Sequence, residues 1–377
     1  MKDLYLLNPD ITFLNHGSFG ACPKTVFESY QNWQRELEKQ PIQFMTVDVY
    51  KHLQSVRERL GEFVGCSSDD LIFIPNPTIA INTILRSLDI NSGDEVLSTN
   101  HEYGSLIRAW TWVGKEKGFQ FIQHDFSTPF TSHDEFITDF WSRVNEETRV
   151  IFLSHITSST GLIFPVEEIC RRAREIGIMT ILDGAHVPGH IELNINKLNP
   201  DVYTGACHKW LSAPKGSSFL YVKKEHQPSL KPLIISWGAA GDDPGPSQFL
   251  QDNQYQGTRD PSAFLAVTEA IDFQSQHDWE EVKKQCRTLT RRTRERVYKI
   301  IKTEPLCPNT NEWLGQMASV EIDVNDSQEL KKTLLEKYKI EIPIFQWQDK
   351  TLLRFSFNAY NDQSDADILI NALEEIF

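Results

Sequence analysis

The 377-residue chain contains no apolar run long enough to form a membrane-spanning helix. Positive charge is also in short supply. Against 52 Asp and Glu there are 38 Lys and Arg, for a formal charge of −14 and a pI near 5.3. This balance argues against nucleic acid or an anionic membrane surface as a partner, since both are themselves negative. Cysteine is sparse: Cys22, Cys66, Cys170, Cys207, Cys286 and Cys307 are scattered, with no C-x-x-C pair and no metal-ligand spacing. The expectation is reduced thiols in a cytoplasm and no bound metal. Neither G-x-G-x-x-G nor G-x-x-x-x-G-K-[ST] occurs, so dinucleotide and P-loop nucleotide readings lose their main support. No repeat or low-complexity tract is visible. Near Met1, Lys2-Asp3 precedes only a short apolar stretch broken by Asn8-Pro9-Asp10, which does not read as a signal peptide.

What is present is ordinary for a soluble globular enzyme: 40% hydrophobic and 24% charged residues. The length suggests two or three folding units. One basic cluster, Arg287 to Lys299, falls on a helical pattern whose apolar stripe is Trp279, Val282, Cys286, Leu289, Val297 and Ile300. Its charges read as a solvated face.

The chemistry concentrates between Ile181 and Lys209. An apolar strand, Ile178 to Leu182, delivers Asp183 into Gly184-Ala185-His186-Val187-Pro188-Gly189. A second strand, starting near Asp201-Val202-Tyr203, leads to Thr204-Gly205-Ala206-Cys207-His208-Lys209-Trp210. In a doubly wound sheet, ligands bind where such strands stop, so Asp183 and Lys209 would face one crevice. That pairing suits pyridoxal phosphate. The lysine can form a Schiff base with the aldehyde, while the carboxylate keeps the pyridine nitrogen protonated. Singly, an Asp-Gly is a turn signal and a Lys is a surface charge.

Asp183-Gly184-Ala185-His186, followed by Thr204 to Leu211 and Pro214-Lys215-Gly216, resembles the class V aminotransferase fold family, in particular its isopenicillin N epimerase-like branch. The resemblance runs along nearly the whole chain. It implies an α/β class, the type I fold of pyridoxal-phosphate-dependent transferases, with a large domain on a mainly parallel sheet and a smaller C-terminal α+β domain. The expected units are 1–20, a segment near the active site; 21–259, the cofactor-binding domain; and 260–377, the small domain. Where relatives commonly have Asn three residues before the lysine, this chain has Ala206.

The remaining chain is consistent with that reading. Phe13 to Gly20 reads as a loop after a strand, and the resemblance brings it to the active site with His16 on the substrate side. Helices follow over Val26, Tyr30, Trp33 and Leu37, and over Val49 to Phe63 with a stop at Gly65. The strand Leu71 to Pro75 turns at Asn76-Pro77-Thr78 into a helix, whose first turn presents N–H groups and a positive dipole end to an anion. The resemblance assigns the cofactor phosphate to Pro77, Thr78 and Ile79; on residues alone, Thr78 is an N-cap. After the strand Glu95 to Ser98, Tyr103 is the expected ring stacker. After Val150 to Leu153, the hydroxyl-rich loop offers Ser158 to the ring oxygen, while His155 is structural. Asp183 would meet the pyridinium nitrogen, His186 the ring oxygen or reacting centre, and Thr204 and His208 the phosphate.

Residues 232–246, rich in Gly, Pro and Asp, read as a long loop. Beyond it, the resemblance has Gly257 and Thr258 reach a partner's phosphate, which implies a homodimer with shared active sites. Strands are expected near Ala318 to Ile322, over Lys339 to Ile344, and over Leu352 to Ser356. Arg354 interrupts the last of these. It is either an edge arginine paired with an acid or a fork for a substrate α-carboxylate, and the resemblance favours the fork.

The fold does not choose the reaction. The resemblance implies a small-molecule amino-acid substrate and chemistry at its α-carbon: epimerisation first, with a carbon–sulfur lyase or an aminotransferase as alternatives. Cysteine desulfurases of this fold carry a nucleophilic Cys shortly before the arginine; Phe345 to Lys350 contains none. An epimerase needs a second proton carrier, for which His16 or a tyrosine is available. A catalytically silent dimer has no need of Lys209, Asp183 and Arg354 together.

Overall fold

The computed structural model describes residues 1–239 and 246–377, so part of the loop expected over residues 232–246 lies outside the described residues. Among the described residues there are twelve strands: β1 (Thr12–Phe13), β2 (Leu71–Ile74), β3 (Glu95–Thr99), β4 (Gln120–His124), β5 (Thr148–Ser154), β6 (Met179–Asp183), β7 (Val202–Ala206), β8 (Ser218–Val222), β9 (Met317–Ile322), β10 (Ile340–Glu341), β11 (Ile344–Trp347) and β12 (Lys350–Ser356).

A seven-stranded sheet runs β2-β8-β7-β6-β5-β3-β4. The pairings β4/β3, β3/β5, β5/β6 and β6/β7 are parallel, and β8 is antiparallel to both β7 and β2. Its central strands are near-continuous apolar runs such as Val150-Ile151-Phe152-Leu153, buried throughout. That is the composition of a sheet covered by helices on both faces. From β3 the chain steps outward to β4 and then returns to β5 on the other side. This reversal opens a crevice at the carboxyl ends of β3 and β5.

A second sheet, β11-β12-β9, is antiparallel and brings Arg354 on β12 opposite Ser319 on β9. The N-terminal lead-in is tied to this part of the molecule by β1 pairing parallel with β10.

Three expectations need correction. The strand foreseen over Lys339 to Ile344 is split, because Pro343 cannot donate to a ladder; β10 joins β1 and β11 joins β12. The helix Pro77–Ser87 is capped by Asn76, whose side chain accepts from the Ile79 N–H at 3.0 Å, so Thr78 is not the cap. The basic face of the helix Trp279–Ile301 is not wholly solvated. Arg294 is buried, donates to the Cys307 carbonyl at 2.8 Å and lies 5.0 Å over Tyr298. Among the described residues, no helix is long and apolar enough to cross a membrane.

Candidate active site

At the carboxyl end of the large sheet lies a cavity of about 640 Å³. Loops after β2, β3, β5, β6 and β7 converge on it, joined by Arg354 from β12 and by residues 17–19 of the lead-in. The structure brings together Pro77, Thr78, Ile79, Tyr103, Ser158, Asp183, His186, His208, Lys209 and Arg354 as lining residues.

Lys209 follows β7 by three positions, and its Nζ lies 3.1 Å from Nε2 of His186. Burial pushes the Lys209 ammonium down to about 8, with nearby Asp183 opposing the shift and Arg354 adding to it. An amine with that proton affinity is still mostly protonated at neutral pH, but its unprotonated, nucleophilic fraction is far larger than that of an ordinary lysine. Asp183 ends β6 directly beside Ser154 of β5. One of its oxygens accepts from the Ala185 N–H at 2.9 Å, and the other has no hydrogen-bond partner among the described residues. Burial raises the Asp183 carboxyl, while the Lys209 cation draws it down. Gly184 after it is required: a Cβ there would overlap the Tyr203 ring.

Arg354 is buried, donates to Ser18 Oγ at 2.8 Å and also to the Ser158 carbonyl. Burial lowers its guanidinium to about 10, which leaves it cationic at neutral pH. No carboxylate pairs with it among the described residues, so the edge-arginine alternative has no acid to supply it. Lys215 lines the same cavity and donates to the Gly20 carbonyl.

At the opposite wall, the first turn of the helix Pro77–Ser87 faces the cavity with its positive dipole end. His208 lines the same cavity, with its Nδ1–H donated to the Ser217 carbonyl at 2.7 Å. A neutral His208 then offers only a lone pair at Nε2, so it becomes a donor to an anion by taking up a proton. Burial, which holds it at about 4, opposes that uptake until an anion arrives. Tyr103, immediately ahead of the helix Gly104–Lys117, is half exposed at the rim.

Four expected residues are elsewhere. His16 is fully buried behind the cavity wall. Its Nε2–H donates to the Lys209 carbonyl at 3.0 Å, and its Nδ1 lies 2.8 Å from the Tyr360 hydroxyl. The substrate-side role is therefore corrected to a support beneath Lys209. Thr204 is also fully buried and donates to the Phe219 carbonyl at 2.8 Å, so it does not reach the cavity. Gly257 lines a different cleft with Tyr50, Tyr255 and Arg259, and Thr258 follows it away from this chain's own cavity.

Ser18, Asn76, Ser154 and Lys215 line the cavity without having been singled out. Asn76 carried a local signal, an N-cap residue before a proline at the first helical position. Ser18 and Lys215 lie in segments that the resemblance already brought to the site, but no local pattern marked either side chain as one that lines it.

The class V aminotransferase family model matches residues 20–369. The chain belongs to the class V aminotransferase family. It is 32% identical to an isopenicillin N epimerase of Amycolatopsis lactamdurans, over 98% of this chain and 96% of the relative. It is 25% identical to a hercynylcysteine sulfoxide lyase of Schizosaccharomyces pombe, over 97% of this chain and 94% of the relative. In three dimensions it superposes on a cysteine desulfurase of Thermococcus onnurineus with a TM-score of 0.87, at 17% identity, covering 100% of this chain and 96% of that one. That likeness confirms the type I fold. This class V enzyme takes pyridoxal 5′-phosphate as its cofactor, and the family it belongs to acts on amino acids. The cavity suits the cofactor: Asp183 has an oxygen free for a pyridinium N–H, Lys209 supplies an amine for the aldehyde, and a helix N-terminus stands ready for phosphate.

Proposed function

We propose that this enzyme removes the α-proton of an amino acid, with epimerisation as the first reading of the outcome. The observation that carries the proposal is the buried Lys209 amine, lowered to about 8 and enclosed in one cavity with Asp183 and Arg354. Arg354 would take the substrate α-carboxylate in its planar fork, fixing the α-carbon near Lys209. Asp183 would hold the pyridine nitrogen protonated, and the cofactor, when bound, supplies an electron sink for the α-carbanion. Pro77, Thr78 and Ile79 would hold the phosphate, Ser158 the ring oxygen and Tyr103 the ring face. Lys209, released from the cofactor by the incoming amine, would take the proton from one face of the α-carbon.

Epimerisation is placed first because the relatives at 31–32% identity over 98% of the chain are isopenicillin N epimerases. The substrate need not be a β-lactam precursor. A carbon–sulfur lyase is the second reading, supported by a specific observation: His16, one candidate for the second proton carrier, is sealed off, and β-elimination needs only Lys209. Transamination is the third, and a silent dimer is disfavoured by the assembled Lys209, Asp183 and Arg354. The β11–β12 hairpin contains no cysteine, which disfavours desulfurase chemistry.

A homodimer accompanies this reading. Gly257 and Thr258 lie away from the chain's own cavity, where they would serve a partner's phosphate. Tyr50, which shares a cleft with Gly257, is an exposed side chain suited to burial between subunits. We take residues 21–259 and 260–377 as the large and small units. A cytoplasmic setting accords with six free cysteines.

The deciding experiment is spectral titration of the cofactor-loaded protein with L- and D-amino acids, including cysteine conjugates, with product analysis. Inverted stereochemistry supports epimerisation, pyruvate supports the lyase and a keto acid supports the aminotransferase. A protein that stays colourless with added pyridoxal phosphate would overturn the proposal.

A further inference from the structure

His186 is fixed from both sides, and the direction of its hydrogen bonds follows from what its neighbours are able to do. Its Nδ1 lies 3.2 Å from Nε1 of Trp210. An indole nitrogen only donates, so Nδ1 of His186 must be the acceptor. The single proton of the neutral ring is then on Nε2, which lies 3.1 Å from Nζ of Lys209.

The surrounding packing holds this arrangement. Trp210 is buried and stacks on His190, with ring centroids 3.8 Å apart and planes 20° from parallel. His190 is itself locked: its Nε2 accepts from the Gln316 backbone N–H at 2.6 Å, so its Nδ1–H donates to the His186 carbonyl at 2.9 Å. The charged and titratable groups acting on His186 are Lys209, Arg354, His190 and His16, each of which opposes a second proton on the ring. Burial works in the same direction.

We infer that Trp210 is a positioning residue that locks His186 as its Nε2–H form, making His186 a hydrogen-bond donor to the unprotonated Lys209 amine and not a proton acceptor. The chemistry behind this is a matter of matching. A neutral amine has one lone pair to receive the N–H, whereas an ammonium has three donors and no acceptor, so it would meet His186 donor to donor. The locked ring therefore favours the nucleophilic form of the lysine. It also removes His186 from the candidates for a second base, because both of its nitrogens are already committed.

The consequence for turnover rests on the reading of Lys209 as the cofactor-binding lysine, but the protonation state of the ring does not. The test uses protein labelled with ¹⁵N in histidine and in lysine Nζ, with and without cofactor, and His186→Gln to assign the signals. Nitrogen shifts distinguish a protonated ring nitrogen from one bearing a lone pair. The expected result is a protonated Nε2 and a bare Nδ1 on His186 throughout the pH range of the folded cofactor-free protein.

Replacing Trp210 with β-(3-benzothienyl)alanine keeps the ring shape and removes only the N–H; Trp210→Phe serves as a genetic counterpart. With the donor gone, His186 becomes free to carry its proton on Nδ1 and accept from the lysine. Half-protonation of Lys209 in the cofactor-free protein should then move up by roughly one pH unit, a tenfold loss of neutral amine near pH 7. A structural role alone would not move that titration while the fold persists. A protonated Nδ1 in the native protein, or an unmoved lysine titration in the isostere, would overturn the inference. Retention of covalent cofactor by Lys209→Ala would instead sink the functional reading and leave the ring assignment standing.

Discussion

The guanidinium of Arg354 donates to the hydroxyl of Ser18 at 2.8 Å, across 336 positions of sequence. It also donates to the Ser158 carbonyl, so one side chain from β12 clamps the lead-in to the loop after β5. The fork is thereby oriented before any substrate arrives, which lowers the cost of ordering it on binding.

Arg354→Ala should raise KM for the amino acid by roughly 10- to 100-fold, the worth of a charge-assisted hydrogen bond, while the cofactor spectrum stays unchanged. Arg354→Lys should recover only part of that loss, because a point charge cannot make the bidentate contact. Steady-state kinetics with spectral titration checks both. An unaltered KM in Arg354→Ala would remove the α-carboxylate from this site.

Lys209→Ala should abolish turnover and leave no cofactor attached after borohydride reduction, as read by intact mass. The variant should still bind pyridoxal phosphate noncovalently through Asp183 and the first turn of the helix Pro77–Ser87.

For Asp183→Asn, the sign follows from the electrostatics. The Asp183 carboxylate raises the proton affinity of Lys209, which burial has lowered to about 8. Removing the charge should lower the Lys209 titration further, and turnover should fall roughly 100-fold or more through loss of charge stabilisation at the ring nitrogen. The pH dependence of cofactor capture by the cofactor-free protein reads the first effect; single-turnover rates read the second. A Lys209 titration that moves upward would contradict the placement of these two charges.

Glu102 offers a stability test. Its carboxyl is buried between Thr99 Oγ1 at 2.8 Å and Ser154 Oγ at 2.6 Å, and burial pushes it from 4.5 up to about 8. Between those values the folded chain holds a proton that the unfolded chain releases, so this contribution is full below pH 4.5 and is lost as pH rises towards 8. Glu102→Gln should remove the slope. Relative to the native protein, it should gain on the order of 2 kcal/mol on going from pH 5 to pH 7.5. Urea unfolding at the two pH values provides the measurement, and equal differences at both would refute the buried-proton account.

Much of the site is legible along the chain because its parts are local. A strand must end somewhere, and Asp183 and Lys209 stand just where two apolar runs give way to glycine and polar residues. The helix Pro77–Ser87 likewise announces its own start through Asn76 and Pro77. Roles that depend on which way a side chain turns are less legible. Thr204 lies in the same motif as Lys209, yet its hydroxyl belongs to Phe219 on β8. His16 lies in a segment that does reach the cavity, yet its ring passes underneath to the Lys209 carbonyl.

By itself, then, the sequence carried the family resemblance and, through it, the mainly parallel sheet, and it marked Lys209, Asp183 and the start of the helix Pro77–Ser87 as candidates, since strand ends and helix starts are written in short-range pattern. The tertiary structure alone decided that Arg354 is held by Ser18 and Ser158, that His16 is a support, and that His186 is a donor. The reason is physical: hydrogen-bond direction and burial are set by partners brought together from distant parts of the chain, and no local pattern encodes which partner that will be.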